Sequence, residues 1–293
     1  MNIQKWLKDN TNDLTGTTIA ITGSTGGLAK HVVSILASLN ANLILINRNK
    51  EKTERQINNL KSLHPTLQVE FIQCDLTDFE SVKTATELLK QKRIDILYLA
   101  AGVYNVKRYK TSLGYNNIFQ TNFLSHYYMV KELLTNIKQV NGKIVAVSSI
   151  AYNYSTLDEN DLDFSKRNKH SKVYGNSKRF LTFALQELCE KEKVALSVVH
   201  PGVTLTEMTN HYPKAINWLV KLGIKILFPP TSQASLSLIE GVFNFTNYHE
   251  WIGPNFMNIW GKPKKQKIKN ISNEESKKIF NIAENIYSKI KST

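Results

Sequence analysis

The chain has 293 residues, of which 42% are hydrophobic, and a formal net charge of +14 at pH 7, as expected of a water-soluble globular protein with a sizeable core. No apolar run reaches the roughly 18 residues of a membrane-crossing helix, and the N-terminus, MNIQKWLKDN, lacks the apolar stretch of a secretory signal. The two cysteines, Cys74 and Cys189, lack the spacing of a disulfide framework or a zinc site, so we expect no bound metal and a reducing, cytoplasmic location.

Six short apolar runs, separated by longer amphipathic stretches, dominate the first two-thirds of the chain. They are rich in Ile, Val and Leu with little alternation, which is typical of strands buried on both faces. The runs span residues 17–22, 42–47, 69–74, 94–100, 143–149 and 195–201. Apolar stripes over 27–39 and 172–193 predict helices. The alternation predicts an α/β fold: a doubly wound parallel sheet with helices on both faces, in a single domain over 14–293 after an N-terminal extension, 1–13.

A glycine-rich turn follows the first predicted strand and opens the first predicted helix. It reads Thr22-Gly23-Ser24-Thr25-Gly26-Gly27-Leu28-Ala29. The backbone N–H groups of such a turn and the helix N-terminus bind phosphate, and glycine lets the pyrophosphate of a dinucleotide approach the backbone. Its position between strand and helix therefore predicts a dinucleotide site.

The end of the second predicted strand indicates which dinucleotide binds. NAD-binding proteins place an acid about 20 residues after the glycine turn, where it holds the ribose hydroxyls. Here the chain reads Asn47-Arg48-Asn49-Lys50, with no acid, and the Arg48 guanidinium can bind a 2′-phosphate. We therefore predict NADP(H) as the cofactor.

A tyrosine and a lysine in the helix over 172–193 are the candidate proton-transfer residues. Tyr174 and Lys178 are four residues apart and so share one helix face. An ammonium beside the phenol, with a nicotinamide cation, would lower the phenol pKa from its usual value near 10 and so favour proton transfer near neutral pH. Ser148-Ser149 ends the fifth predicted strand, at the sheet edge where ligands bind, and a hydroxyl there can donate to a developing oxyanion.

These segments together resemble the short-chain dehydrogenase/reductase superfamily, over roughly residues 14–260. Six signals occur in the family's order: the glycine turn at 22–29, Asp75, Ala101-Gly102, Asn122, Ser149 with Tyr174 and Lys178, and Pro201-Gly202 followed by Thr206. The resemblance implies a sheet of about seven strands and, because relatives commonly associate, a homo-oligomer. Two positions depart from the family pattern. Ala29 replaces the last glycine of the turn, and Leu99-Ala100 replaces the two asparagines before Ala101-Gly102.

The resemblance also implies a role for each residue of the site. Tyr174 would donate or accept the proton, Ser149, the second serine of the pair, would orient the carbonyl, Lys178 would also bind the nicotinamide ribose, and Asn122 would hold a water in a proton relay to Lys178. Asp75 and Leu76 would lie at the adenine, and Thr206 near the carboxamide or pyrophosphate. The full set of implied cofactor contacts is Gly23, Ser24, Thr25, Gly26, Gly27, Leu28, Asn47, Arg48, Asp75, Leu76, Ala100, Ala101, Gly102, Tyr174, Lys178, Pro201, Gly202, Val203, Thr204 and Thr206.

Within the superfamily the chain is most similar to the retinol-dehydrogenase-like and protochlorophyllide-reductase-like branch. The ending of the second strand at 47–49, the long insert at 152–173 and the stretch from Trp251 to Pro263 carry this similarity. The branch implies an apolar aldehyde, ketone or secondary alcohol as the substrate and NADPH as the reductant. The alternative is a non-catalytic dinucleotide sensor or scaffold on the same fold, which the altered segment 99–102 favours.

Two segments outside these motifs leave alternatives open. Residues 216–228 are very apolar and are followed by Pro229 and Pro230. We favour a substrate lid over 203–230, while a core helix and an interfacial helix in peripheral contact with a membrane are the alternatives. From Gly261 onward nine lysines face three glutamates, which predicts a basic, solvated C-terminal helix over 262–293 rather than a surface for nucleic acid or an anionic membrane. The sequence lacks the alternation of arginines and aromatic residues that would support RNA binding.

Overall fold

The apolar runs of the sequence become the strands of a single sheet. The computed structural model describes residues 2–202 and 230–292, and in this part of the chain the sheet has eight strands in the order β3-β2-β1-β4-β5-β6-β7-β8. The strands are β1 (Thr18–Thr22), β2 (Asn42–Asn47), β3 (Val69–Gln73), β4 (Ile96–Leu99), β5 (Lys143–Val147), β6 (Ala195–Val199), β7 (Glu250–Phe256) and β8 (Trp260–Lys267). The first seven run parallel to their neighbours, and β8 pairs antiparallel with β7.

Helices connect the strands and extend both ends of the described chain. They are α1 (Ile3–Asn10), α2 (Ala29–Ser38), α3 (Lys50–Leu63), α4 (Phe79–Lys90), α5 (Asn117–Phe119), α6 (Ser125–Gln139), α7 (His170–Glu192), α8 (Thr231–Phe243) and α9 (Asn273–Lys291). A π-helical turn (Gln120–Leu124) joins α5 directly to α6, and two 3₁₀ turns (Ile150–Tyr154 and Glu159–Asp161) lie between β5 and α7.

The core lies on both faces of the sheet. On one face Val82 of α4, Phe123 of the π-helical turn and Phe180 of α7 pack into one buried cluster. On the other face Val32 of α2 and Leu236 of α8 belong to a second cluster. Because the inner strands β1, β2, β4, β5 and β6 are covered on both sides, most of their side chains are apolar in both directions, which is why these strands read as continuous apolar runs.

The order of the strands fixes where a ligand binds. The chain builds outward from β1 through β2 to β3, and then returns to the other side of β1 to place β4. Loops leaving β1 and β4 therefore diverge and open a crevice at the carboxyl edge of the sheet, the usual ligand site of doubly wound folds. The predicted fold class is confirmed.

The C-terminal part of the described chain differs from its prediction. Residues 262–267 lie in the edge strand β8, and the C-terminal helix covers only Asn273–Lys291. Lysines and a proline are common on edge strands because they discourage pairing with another chain. A lysine-rich pattern alone therefore does not distinguish an edge strand from a solvated helix. The start of α9 had a clear signal, since the Ser272 hydroxyl accepts from the Glu275 N–H at 3.1 Å as an N-cap. The predicted lid and apolar segment over 203–229 lie outside the described residues.

Both ends of the described chain pack against the domain. In the N-terminal extension, Trp6 of α1 is buried in the second core cluster. At the other end Arg179 of α7 pairs with Glu275 of α9 at 2.6 Å, and its side chain is only 6% exposed. Among the helices at 2–202 and 230–292, none combines the length and hydrophobicity needed to cross a membrane.

Candidate active site

Four strand ends bring the predicted site residues to one edge of the sheet. The glycine turn follows β1, residues 100–102 follow β4, Ser148-Ser149 follow β5, and Pro201-Gly202 follow β6. Because parallel strands end at the same edge, these segments surround one crevice, and α7 brings Tyr174 and Lys178 to it.

Lys178 lies buried at the centre of this crevice. Its ammonium donates to the Val147 carbonyl at 2.7 Å, at the end of β5, and stands 5.9 Å from the centre of the Tyr174 ring. Burial lowers the pKa of Lys178 to about 8, because charging the amine away from water is unfavourable. A methyl group on Gly102 would lie only 3.4 Å from this ammonium, so the glycine leaves the nitrogen accessible from the crevice.

The Tyr174 phenol meets the Ser149 hydroxyl on the same side of the crevice. Its ring packs edge-on against Tyr104, with ring centres 5.0 Å apart. Burial raises the pKa of Tyr174, the hydrogen bond to the Ser149 side chain lowers it, and the direction that prevails is upward. The predicted lowering of this pKa is therefore not produced by the protein's own groups.

The two serines after β5 have different surroundings. The Ser148 hydroxyl is buried and lies 2.6 Å from the Thr182 hydroxyl of α7. Ser149 is partly exposed, caps the following 3₁₀ turn by accepting from the Ala151 N–H at 3.2 Å, and contacts Tyr174. Ser149 is thus the hydroxyl that faces the crevice.

Asn122 lies in the π-helical turn and forms hydrogen bonds with two segments that border the crevice. Its side-chain oxygen accepts from the Val103 N–H at 2.8 Å, and its amide donates to the Val103 carbonyl at 2.9 Å and to Ser177 at 3.0 Å. The Ser177 hydroxyl in turn donates to the Tyr174 carbonyl at 2.7 Å. Asn122 therefore ties the loop after β4 to the turn of α7 that carries Tyr174. Wide helical turns of this kind are common at functional sites.

A buried histidine, which the sequence analysis did not single out, connects Asn122 to the glycine turn. His126 lies with Nε2 3.0 Å from the Thr22 hydroxyl and Nδ1 3.3 Å from the Asn122 carbonyl. The Thr22 hydroxyl accepts the N–H groups of Ala100 and Ala101, both at 3.1 Å.

The partners of His126 determine its tautomer. A carbonyl can only accept, so Nδ1 carries the proton toward Asn122. The Thr22 oxygen already accepts twice, so its hydroxyl donates to Nε2. Burial lowers the pKa of His126 to about 3, which keeps the ring neutral. The only sequence signal is a histidine four residues after Asn122, on the same helix.

The glycine turn has the geometry of a phosphate site. Gly23 has φ of +70°, and a methyl group there would lie 2.7 Å from the Ala101 Cα, so only glycine fits. The Gly26 N–H closes the turn on the Gly23 carbonyl at 3.0 Å. The helix α2 begins after Leu28 with no side-chain cap and no acid in its first turn, so no side chain competes with an anion at its N-terminus.

The end of β2 carries polar groups for a ribose. The Asn47 amide donates to Ser24 at 2.7 Å, and Ser24 donates to Gln56 of α3 at 2.8 Å. The Asn47 side-chain oxygen is buried and accepts no hydrogen bond from the described residues. Arg48, the next residue, is exposed, and no acid of the described chain pairs with it. These groups fit a nucleotide ribose and its phosphate, because an unpaired buried acceptor calls for a hydroxyl donor.

The remaining predicted contacts lie at the two ends of the crevice. One Asp75 oxygen accepts from the N–H and hydroxyl of Thr77, at 2.9 and 2.8 Å, and Leu76 is buried with its carbonyl accepting from Ser125 at 2.7 Å. Gly202 has φ of +78° and lies beneath the β7–β8 turn, where a methyl group would approach the Asn258 carbonyl to 3.0 Å. The predicted contacts Val203, Thr204 and Thr206 lie outside the described residues.

Comparisons with known proteins find relatives among the oxidoreductases. A family model described as short chain dehydrogenase matches residues 17–217 of this chain. An uncharacterized oxidoreductase of Schizosaccharomyces pombe is 33% identical over 81% of this chain and 76% of its own length. Human polyprenol dehydrogenase is 30% identical over 71% of this chain and 65% of its own. Mouse retinol dehydrogenase 12 is 30% identical over 75% of this chain and 71% of its own.

A solved structure shares the fold. The short-chain dehydrogenase from Sphingobium yanoikuyae in complex with NADPH has a TM-score of 0.59 and 20% identity, covering 76% of this chain and 83% of its own.

The histidine bridge makes a prediction about stability and pH. Replacing His126 with Leu leaves the Asn122 carbonyl without its ring partner, and we expect the free energy of unfolding at pH 7 to fall by about 2 kcal/mol. The unfolded ring binds a proton near pH 6.5 and the folded ring only near pH 3. Wild-type stability therefore falls as pH drops through this window, and the Leu variant lacks this loss. The difference between the two proteins should shrink by roughly 2 kcal/mol at pH 5.

Urea unfolding at both pH values measures the difference, with His31→Leu as the control. The His31 ring is partly exposed, and within residues 2–202 and 230–292 its hydrogen-bond partner is Thr231 at 3.2 Å, so its replacement should change stability far less. A difference between wild type and His126→Leu that stays constant from pH 7 to pH 5 would contradict the neutral bridge.

Proposed function

This chain belongs to the short chain dehydrogenase family, on its retinol-dehydrogenase-like side, and from that premise we propose that it is an NADP(H)-dependent oxidoreductase of apolar carbonyl compounds and alcohols. The observation that carries the proposal is the meeting of Ser149, Tyr174 and Lys178 at the carboxyl edge of the sheet. An oxidoreductase that acts on CH–OH or C=O groups needs a proton donor and a hydrogen-bond donor directed at the same substrate oxygen. These residues supply both.

The three side chains divide the work of carbonyl reduction. The Tyr174 phenol, whose pKa is raised by burial, keeps its proton at neutral pH and donates it to the carbonyl oxygen as negative charge develops there. The Ser149 hydroxyl donates a hydrogen bond to the same oxygen. The Lys178 ammonium stabilises the phenolate that Tyr174 becomes. The cofactor, when bound, supplies the hydride to the carbonyl carbon.

Return of a proton to Tyr174 needs a path from solvent. Lys178 is the buried cation beside the Tyr174 ring, and Asn122 lies next to it, with both side chains within 3.5 Å of a methyl group built on Gly102. We assign the relay to Lys178 and to a water at Asn122. In the oxidation direction the same groups work in reverse, with Tyr174 as the base.

The cofactor is assigned to the crevice by its donors and acceptors. The turn at Gly23–Gly27 and the N-terminus of α2 would hold the pyrophosphate. Asn47 and Arg48 would hold the adenosine ribose and a 2′-phosphate, because no carboxylate follows β2 to exclude that phosphate. Lys178 would bind the nicotinamide ribose. The NADPH in the Sphingobium yanoikuyae relative supports this choice.

The remaining assignments follow the relatives and the sequence. Relatives named for retinol and for polyprenol support an apolar alcohol or its carbonyl form as the substrate. We keep a cytoplasmic location, a homo-oligomer, a lid over 203–230 and peripheral membrane contact through 216–228 as hypotheses. The sensor hypothesis depended on the altered segment 99–102. Thr22 binds the backbone N–H groups of both alanines in that segment, so the segment is held in place without the two asparagine side chains.

Replacing Tyr174 with Phe tests the mechanism. Without the phenolic proton we expect kcat for reduction of apolar aldehydes to fall about 100-fold or more, with NADPH affinity changed less than about 2-fold. Steady-state assays of NADPH oxidation measure kcat, and fluorescence titration measures the affinity for NADPH.

The matched control is Tyr128→Phe. The Tyr128 ring packs edge-on against Phe79 in the core between α4 and α6, with 4.9 Å between the ring centres. The Tyr128→Phe substitution should therefore leave turnover unchanged. Turnover by Tyr174→Phe equal to wild type rules out the proposed acid.

Replacing Arg48 with Gln tests the cofactor. Loss of the guanidinium removes a charge-assisted contact to the 2′-phosphate, so the Kd for NADPH should rise about 10-fold or more while that for NADH changes less than about 2-fold. Arg55→Gln, an exposed arginine on α3, serves as the control. Equal shifts of the two affinities, or none, would show that Arg48 does not bind the 2′-phosphate.

A further inference from the structure

An open cavity outside the crevice residues described above lies at the start of α7. It measures about 420 Å³ and is lined by Lys107, Arg108, Asn116, Asn168 and His170. Lys107 and Arg108 come from the loop after β4, and His170 is the first residue of α7. None of these residues has a part in the mechanism.

The lining of this cavity is positively charged. It contains a lysine and an arginine and no acid. The nearby carboxylates of the insert are engaged elsewhere, since Asp163 pairs with Lys110 at 2.7 Å and Asp161 with Arg167 at 3.0 Å. The cations of the cavity are therefore not neutralised by their neighbours.

Arg108 is the side chain that most clearly lacks a partner. Its Nη1 atom is buried and forms no hydrogen bond with residues 2–202 or 230–292. A guanidinium has five N–H donors and no acceptor. A buried, unpaired donor on a cation is costly, so this atom calls for an acceptor that residues 2–202 and 230–292 do not provide.

The amino end of α7 adds to the same field. This helix has 23 residues, its cap residue Lys169 makes no side-chain capping bond, and no acid occurs in its first turn. The free N–H groups and the positive end of the helix dipole favour an anion there. His170, in this first turn, lines the cavity, and its Nε2 lies 3.0 Å from the Val106 carbonyl.

The cavity lies one helical turn from the reacting phenol. His170 and Tyr174 are four residues apart on α7 and share one face, which separates them by about 6 Å along the axis. The loop after β4 runs beside the first turn of α7, from Tyr174 toward the cavity. Tyr104 packs on Tyr174, Val106 contacts His170, and Arg108 then lines the cavity.

We propose that this cavity binds an oxyanion, a carboxylate or phosphate, at the far end of the substrate whose carbonyl or hydroxyl carbon lies at Tyr174. The substrate class is then an apolar aldehyde, ketone or alcohol that also carries an acidic group, with Arg108 as the principal anchor. This assignment rests on the proposed function for the reacting end of the molecule and on the cavity alone for the anionic end.

The first measurement tests the anion site without turnover. The full chain, saturated with NADP⁺ so that the cofactor crevice cannot take up phosphate, is titrated with inorganic phosphate by calorimetry in a chloride buffer of constant ionic strength, with Arg108→Gln and the control Arg55→Gln. We expect the Kd for phosphate to rise about 10-fold or more in Arg108→Gln and to stay at the wild-type value in Arg55→Gln. An unchanged Kd in Arg108→Gln overturns the site.

The second measurement tests whether the site holds the substrate. A straight-chain aldehyde is compared with two compounds of the same length that carry a terminal carboxylate or phosphate. In wild type and in Arg55→Gln we expect kcat/KM to be higher for an anionic compound than for the neutral one, and in Arg108→Gln we expect this ratio to fall about 10-fold or more. The better of the two anionic compounds identifies the oxyanion.

The two measurements separate the failures. If none of the aldehydes is reduced, the proposed function is wrong, and the phosphate titration still decides the anion site. If the aldehydes are reduced but the ratio is the same in wild type and Arg108→Gln, the cavity does not hold the substrate and the inference is overturned.

Discussion

The arrangement of the site depends on one buried ammonium. Lys178 donates to the carbonyl that ends β5, and this contact fixes how α7 lies across the edge of the sheet. With that register set, Tyr174 falls one turn earlier on the same face and Ser149 two residues beyond the accepting carbonyl. Burial makes the charge on Lys178 costly, so its pKa is lowered to about 8. The charged and neutral forms of the amine are then close in free energy near neutral pH, and a bound molecule can shift the balance between them.

A chain of buried polar groups lies beside that ammonium. Thr22, His126 and Asn122 link the glycine turn, the strand end at Ala100 and the loop at Val103. Each donor in this chain meets an acceptor, and a fully satisfied network of this kind specifies one arrangement of the loops it joins. The glycine turn and the helical turn with Tyr174 are therefore parts of one hydrogen-bonded unit, although they lie far apart in sequence.

Local sequence patterns were enough to predict much of this structure. Continuous apolar runs gave the parallel strands, and the order of short motifs gave the family and the residues at the sheet edge. The contact between Thr22 and His126 joins residues 104 positions apart, and no periodicity reports such a pair. The π-helical turn was missed because its residues are as apolar as those of an ordinary helix. The lysines of β8 were read as a solvated helix, since edge strands and exposed helices carry the same charges.

The pH dependence of kcat/KM for carbonyl reduction tests the role of the ammonium most directly. Below about pH 8 Lys178 is charged, and above it the charge is lost, while the raised pKa of Tyr174 keeps its proton on in the same range. The account predicts that kcat/KM of wild type falls as pH rises through about 8, and that Lys178→Arg, which stays charged, lacks this fall. A wild-type profile that is flat through this range, or an identical fall in Lys178→Arg, would contradict it.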